Sequence, residues 1–197
     1  MSTIALPPAF LPSMCSFKSV VSQRVSASPF GGSEQAIDLL NDRWTCSVTI
    51  PMMTYQQGGQ IEAFIGAMRG QTNTANLWHF VRPAPAGTAR GSMTILYYAA
   101  QGSEYIGISG CIPTNGTLLA GDMLNVNGML LMLRENSTAV GGNITVALAQ
   151  RLRKPVSVGM VVTWDKAPAA FRLLNTSGVN YNGAVVEDVT FDFGEAI

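Results

Sequence analysis

The chain has 197 residues, 47% of them hydrophobic and only 12% charged, so it is long and apolar enough to bury a core, and disorder through low hydrophobicity or charge repulsion is excluded. Twelve basic side chains balance twelve acidic ones, which removes the positive field expected of a protein that grips nucleic acid or an anionic membrane over a broad face. With zero net charge and few charges of either sign, little keeps copies apart, and self-association is expected.

Residues 1–16 are mildly apolar, but no charged side chain precedes Lys18 and Pro7, Pro8 and Pro12 interrupt the run, so a signal peptide is not expected. The prolines predict an extended arm carrying Ile4, Leu6, Phe10 and Leu11; without the proline N–H groups it cannot serve as a central strand. Such an arm covers its own domain or reaches a neighbouring subunit. Farther along, Trp44, Cys46, Val48 and Ile50 alternate with Thr45, Ser47 and Thr49, which predicts a half-buried strand over 44–50 closed by Pro51. The period then changes: Ile61, Phe64, Ile65 and Met68 stand at i, i+3, i+4 and i+7, predicting one substantial helix between Thr54 and Gly70. Thr54 and Gln57 have capping-box spacing, and Gly70 suits the left-handed position at the C-terminal end. Gly58 and Gly59 each weaken the first turn by about 1 kcal/mol relative to Ala, which moves the expected helix start toward Gln60. The apolar stripe is expected to pack on the sheet containing 44–50.

A proline-rich connection over 82–91 leads to a predicted strand over 93–99, after which tight hairpins take over. Residues 123–126 and 129–133 flank Asn127-Gly128, a type I′ turn signal because both residues tolerate positive φ. Ile144, Val146 and Leu148 alternate after Gly141-Gly142, and 158–164 reads as another short strand. Near the end Val189, Phe191 and Phe193 alternate with Asp188, Thr190 and Asp192, predicting a strand with one core face and one carboxylate face. The expected architecture is mainly β with one flanking α-helix. Residues 1–100 with 168–197 make one domain, in which Phe171 to Leu174 and the terminal strand return to the first sheet, and 101–167 make a small inserted β-barrel-like unit. Two domains in succession along the chain are the alternative.

Chemistry-bearing patterns are sparse. Cys15, Cys46 and Cys111 are odd in number, scattered and without a CxxC, so they predict free buried thiols in a reducing cytoplasm rather than a disulfide framework or a zinc site. The densest apolar run, 129–133, falls far short of the roughly 18 residues of a membrane helix. His79 is the single histidine and sits in Leu77-Trp78-His79-Phe80, where a packed structural imidazole is expected rather than a catalytic base. No GxSxG, HExxH or P-loop is present, and Gly107 and Gly110 do not complete a phosphate-binding pattern. No catalytic, cofactor-binding or metal-ligating residue is therefore assigned; neither a cofactor nor an enzymatic activity is expected. Arg151, Arg153 and Lys154 form a basic cluster, and Glu187, Asp188, Asp192 and Glu195 an acidic one. They pair within the chain or match between copies; in the second case charge reversal at Arg151 and Arg153 weakens self-assembly.

A resemblance runs through much of the chain. It is carried by Ser28-Pro29-Phe30-Gly31-Gly32-Ser33-Glu34-Gln35, by Asp42-Arg43-Trp44 leading into the alternating strand and Pro51, and by Met68-Arg69-Gly70-Gln71, Asn73 and Leu77-Trp78. Arg82-Pro83 to Gly87-Thr88, Ala120-Gly121-Asp122 with its hairpin, and the ending Glu195-Ala196-Ile197 extend it. These residues resemble tail proteins of long-tailed bacteriophages, and distal tail proteins in particular. The resemblance implies a virion structural protein at the tail tip, assembled in the host cytoplasm. It implies a tail-tube-like β-sandwich with a flanking helix, arranged as a ring, commonly a hexamer, between tail tube and baseplate hub. The implied partners are copies of the chain, the tube and hub proteins, and tail fibres on the inserted unit, with DNA only as passing cargo and no membrane insertion. Asp188 and Asp192, if they lined the channel of such a ring, would keep that DNA mobile by repulsion. Many distal tail proteins also carry a C-terminal carbohydrate-binding-like domain; none is expected within these 197 residues, and direct host-sugar binding is therefore not expected. Alternative readings are a tail tube subunit, which shares the fold but stacks into filaments, and a β-sandwich carbohydrate-binding module with Trp78, Tyr97, Tyr98 or Trp164 as its stacking platform.

Overall fold

The computed structural model describes residues 2–27, 31–175, 178–183 and 185–196; Ser28, Pro29, Phe30 and Ile197 of the resemblance, and Met1 of the arm, lie outside them. The fold is mainly β, with one helix among the described residues. The N-terminal strands are β1 (Thr3–Ile4), β2 (Met14–Val20), β3 (Gln23–Ala27), β4 (Glu34–Asp38), β5 (Arg43–Ile50) and β6 (Met53–Thr54), followed by α1 (Tyr55–Met68) and β7 (Thr74–Leu77). The middle of the chain holds β8 (Thr94–Ile95), β9 (Tyr105–Ser109), β10 (Thr117–Leu118), β11 (Met123–Val126), β12 (Met129–Met132), β13 (Ser137–Thr138), β14 (Ile144–Ala147) and β15 (Val162–Thr163). Last come β16 (Ala169–Leu173), β17 (Tyr181–Asn182), β18 (Val185–Val186) and β19 (Val189–Glu195). The chain divides into two compact units, one of Met1–Lys18, Trp44–Pro83 and Lys166–Ile197, the other of Ser19–Arg43 and Ala84–Asp165. No helix of the described residues is long and apolar enough to cross a membrane.

The first unit is built on a six-stranded sheet in the order β1-β7-β16-β19-β5-β2. β19 runs antiparallel to β5 from Val189↔Ile50 to Gly194↔Thr45, and β16 joins β19 to β7, so the chain's end returns beside the strand that the Trp44–Ile50 alternation dictates. Trp44, Cys46, Val48, Ile50, Phe171, Leu173, Phe191 and Phe193 are buried on one face. Each such large apolar side chain contributes about 1.5–3 kcal/mol by leaving water. The opposite face carries hydroxyls, with Thr49 Oγ1 and Thr190 Oγ1 3.0 Å apart. The proline-broken arm enters this unit: β1 adds to the sheet edge parallel to β7, and Phe10 is buried in ring contact with Phe64, Phe80, Phe191 and Phe193 at centroid separations of 5.7, 5.7, 6.3 and 6.4 Å. The arm therefore covers its own domain. Deleting residues 1–12 reports on the folding of this unit and does not isolate an assembly role.

The helix begins at Tyr55, earlier than its glycines suggest, because tertiary packing overrides their low propensity. Thr54 Oγ1 accepts from the Gln57 N–H at 3.4 Å while Gln57 Oε1 accepts from the Thr54 N–H at 3.0 Å, the reciprocal capping box. Gly58 is buried against β18 and β17: a Cβ there would lie 2.6 Å from Val186 Cγ2 and 3.3 Å from Tyr181 Oη, so the missing side chain permits the contact. Ile61, Phe64 and Met68 are buried and Ile65 is half-buried. Phe10 bridges the stripe to the sheet through Phe64 on one side and Phe191 and Phe193 on the other. The left-handed cap falls one residue before the expected glycine, on Arg69 at φ 47°, and continues at Gly70.

The second unit is a set of short sheets, β10-β13, β12-β11-β15 and β14-β9-β8, around one apolar cluster that includes Met93, Ile95, Ile106, Ile108, Leu118, Leu124, Leu131 and Val146. Asn127 and Gly128 take φ 52° and 77° in the turn that sets Val126 opposite Met129, as the dipeptide predicts. Two predicted strands shrink: 93–99 is β8 plus a bridge at Ala99, and 158–164 is β15 plus a bridge from Val161 to Thr94, preceded by Gly159 at φ 81°. The boundary expected near residue 101 also moves. Residues 84–100 carry Ala89, Met93, Ile95 and Ala99 into this unit's core, and 19–43 join it through Gln150 Nε2 donating to Ser19 Oγ (2.8 Å) and Arg153 Nη1 donating to the Asp42 carbonyl (2.7 Å). Asp122 is buried, and its carboxylate accepts from the N–H groups of Ala86 (2.7 Å), Gly87 (3.2 Å) and Leu119 (2.8 Å), tying the proline-rich connection to the loop before β11.

Candidate functional site

Among the described residues no group of three or more His, Cys, Asp or Glu comes together in a way that could hold a metal. His79 stacks on Phe17 with centroids 5.2 Å apart and planes at 22°, and its Nδ1 accepts from the Arg82 N–H at 3.1 Å. Burial, then the Arg82 charge, lowers its pKa below the ordinary 6.5. A neutral imidazole suits this position, since protonated Nδ1 would confront a donor with a donor. As His79 is the only histidine, its imidazole proton resonances are unambiguous, and a titration followed by NMR is expected to give a midpoint below 6.5. The folded pKa lies under the unfolded one, so this contribution to stability is fully present above pH ~6.5 and is lost as pH falls from there through the folded value. A midpoint above 6.5 would contradict the packing described.

The expected charge clusters do not form as patches. Arg151 makes ion pairs with Glu104 (3.0 Å) and Asp38 (3.6 Å), and Arg153 donates to the Asp42 carbonyl. Two of the three basic side chains thus bind their own chain, and charge reversal at Arg151 and Arg153 disturbs the anchoring of residues 38–42 before it reports on assembly. On the acidic side, Asp188 precedes β19 and is exposed, while Asp192 is half-buried, accepting from Asn175 Nδ2 at 2.9 Å. Glu195 continues the core parity of Val189, Phe191 and Phe193, is buried, and accepts from the Trp44 N–H at 3.1 Å. The carboxylate face expected along the last strand is therefore reduced to Asp192 beside Thr190. Of the four aromatics considered as a platform, Trp164 is half-buried beneath Arg90 and donates Nε1–H to the Gly91 carbonyl, and Trp78 is half-buried between Phe80 and the Lys166 ammonium. Tyr97 and Tyr98 are 41% and 61% exposed.

The feature best suited to recognition is the β3–β4 hairpin. Its strands pair antiparallel from Gln23↔Asp38 to Ala27↔Glu34, and all ten of their side chains are exposed, so neither face rests on the chain itself. Val25 and Ile37 stand 53% and 46% exposed on its two faces, with Val21 and Leu39 at its root 57% and 53% exposed. The root is fixed: the Ser22 N–H donates to Asp42 Oδ1 (2.9 Å), the Leu40 N–H to Asp38 Oδ1 (2.9 Å), and Asp38 pairs with Arg151. An isolated two-stranded hairpin is marginally stable in water, and exposed apolar side chains on a fixed hairpin suit burial against another surface. Sequence reasoning missed these strands because, with neither face buried, the apolar alternation is reduced to Val25 and Ala27 in Gln23–Ala27 and is absent from Glu34–Asp38; the other available signal was Gly31-Gly32 between two short runs. No protein-family model matches the chain, and no curated protein matches it.

Proposed function

We propose that the protein is a non-enzymatic structural subunit of the distal end of a long-tailed bacteriophage tail, forming a ring, expected to be a hexamer, that joins the tail tube to the baseplate hub. The observation that carries this reading is the hairpin of β3 and β4, exposed on both faces and anchored at its root. A subunit that closes a ring needs an element whose burial a neighbour completes, and repeated identical interfaces then generate closed symmetry. Zero net charge with few charges lets neutral copies approach. The resemblance of the turn and small-residue pattern supplies the phage tail.

The test is negative-stain electron microscopy of the purified chain across concentrations, with mass by light scattering on the same samples, alongside a variant in which a Gly-Ser dipeptide replaces residues 23–38. Closed rings from the full chain and smaller species from the variant are expected. Open filaments would move the assignment to a tail tube subunit. A monomer at every concentration that binds a glycan, with binding lost in Tyr97→Ala or Tyr98→Ala, would replace it with the carbohydrate-binding reading, which the exposure of those two rings favours. Rings unchanged by removal of the hairpin would show that another surface makes the contact.

A further inference from the structure

Cys15 and Cys46 were expected as unrelated buried thiols, and the structure brings them together. β2 is the edge strand beside β5 in the six-stranded sheet. The Ser13 N–H donates to the Thr49 carbonyl at 2.9 Å and Thr45 Oγ1 donates to the Lys18 carbonyl at 3.2 Å, so the two strands run in opposite directions. Burial alternates along both strands: Ser16 and Lys18 are exposed where Cys15 and Phe17 are half-buried, and Thr45 and Ser47 are half-buried where Trp44 and Cys46 are buried, so Ser16, Lys18, Thr45 and Ser47 take the outer face. The residues one step along each strand therefore share the inner face: Phe17 meets Trp44 with ring centroids 6.4 Å apart, and Cys15 meets Cys46. Facing residues on neighbouring antiparallel strands have Cα atoms roughly 4.5–5.5 Å apart, within the span a disulfide needs. Cys46 is buried, whereas Cys15 is half-exposed at the sheet edge, a correction to its expected burial. Access and partner are thus divided between the two sulfurs.

The local chemistry separates their roles. The Cys46 thiol donates to the Cys15 sulfur, and this bond, opposed by partial burial and helped by a backbone hydrogen bond from Phe80, brings Cys15 down to about 7. The same contact, then burial, then the negative charges of Cys15 and Asp192, push Cys46 up and keep it protonated. The groups facing the pair are thus the Cys15 and Cys46 sulfurs, the Phe80 backbone and, at longer range, Asp192.

We propose that Cys15 and Cys46 are a paired modification site, in which Cys15 is the peroxide-reactive thiol and Cys46 the resolving thiol of an intrachain disulfide. In the first step the Cys15 thiolate attacks one oxygen of hydrogen peroxide; the S–O bond forms as the O–O bond breaks, giving sulfenic acid and hydroxide. In the second, the Cys46 sulfur attacks the Cys15 sulfur, the S–O bond breaks, and the Cys46 proton leaves with the displaced hydroxide as water. The two sulfurs together lose two electrons, which reduce the peroxide. The bond fastens the edge strand β2 to β5.

Peptide mapping tests this on the full chain, reduced, treated with hydrogen peroxide and capped with N-ethylmaleimide. Trypsin places the three cysteines on separate peptides, 1–18, 44–69 and 91–134. The expected result is loss of two hydrogens from the intact mass, a joined 1–18/44–69 pair, and a capped Cys111. Cys15→Ser should leave Cys46 capped only after unfolding, and Cys46→Ser should trap Cys15 as sulfenic acid, detectable with dimedone. Wild-type kinetics give a readout independent of variant folding: iodoacetamide should modify Cys15 several-fold faster than Cys111 at pH 7, with a midpoint near pH 7. Oxygen added to Cys15 without the joined peptides, a bond between two chains, or a Cys15 reactivity that rises only above pH ~8.5 would overturn the proposal.

Discussion

Replacing Asp122 by Ala is expected to lower the stability of the unit containing residues 84–165 by about 4 kcal/mol, out of the roughly 5–15 kcal/mol that hold a domain folded. Its buried carboxylate receives three backbone N–H groups, from Ala86, Gly87 and Leu119; the bond from Gly87 is buried and the other two are partly buried, so the Gly87 donor is the one most cut off from water once the oxygens are removed. Hydrogen bonds to a charged acceptor contribute about 1.5–3 kcal/mol each, and donors left buried and unpaired add their desolvation cost. Asn is the informative second variant. Its one carbonyl oxygen can satisfy Gly87 and Leu119 where Oδ2 stands now, but its NH2 then faces the Ala86 donor. The expected order of stability is Asp, then Asn, then Ala. Urea denaturation read by hydrogen exchange gives the check: peptides covering 84–90 and 117–121 should lose protection first. An Asp122→Ala variant as stable as the wild-type protein would mean that the clamp contributes nothing.

The second large effect is expected at Phe10. Truncation to Ala removes a ring in contact with four other phenylalanines, and Phe→Ala in a core costs about 3–5 kcal/mol, because the hole collapses only in part. Leu11, one residue later, is 66% exposed, and Leu11→Ala should leave the denaturation midpoint nearly unchanged. That contrast separates packing within the unit from an assembly role for the arm: a Phe10→Ala protein of unaltered stability but altered oligomeric mass would reverse the assignment.

Legibility in the sequence followed burial. Where one face of an element is buried and the other wet, the side-chain period records it, and the Trp44–Ile50 strand, the Val189–Phe193 alternation and the Ile61–Phe64–Met68 stripe all appear as the spacing requires. Turn chemistry is equally local: Asn127-Gly128 and the Thr54/Gln57 box depend on the φ preference or reach of one or two residues. The carboxylates of the last strand show the limit of that reading. Periodicity gave Asp188, Thr190 and Asp192 one face correctly, but could not tell that pairing begins only at Val189 or that Glu195 sits on the other, buried side.

The candidate recognition element lay beyond such reasoning. A hairpin exposed on both faces has little periodic apolar pattern, since no core selects one, and its apolar side chains look like ordinary scatter until pairing places Val25 and Ile37 on opposite faces. The arm posed a different problem: prolines determined that it is extended, yet only folding showed that Phe10 enters its own core. The basic cluster likewise reads as a patch until Glu104, Asp38 and the Asp42 carbonyl arrive from 47 or more residues away.

By itself the sequence determined a mainly β chain with one capped helix, a neutral surface, a type I′ hairpin and an extended arm, because each depends on residue type and short-range spacing. Tertiary structure alone decided which segments share a core, how Asp122 gathers three distant amides, that Cys15 meets Cys46, and that β3–β4 remains unburied. Those outcomes depend on strand order and register between residues far apart in the chain, and no local preference encodes them.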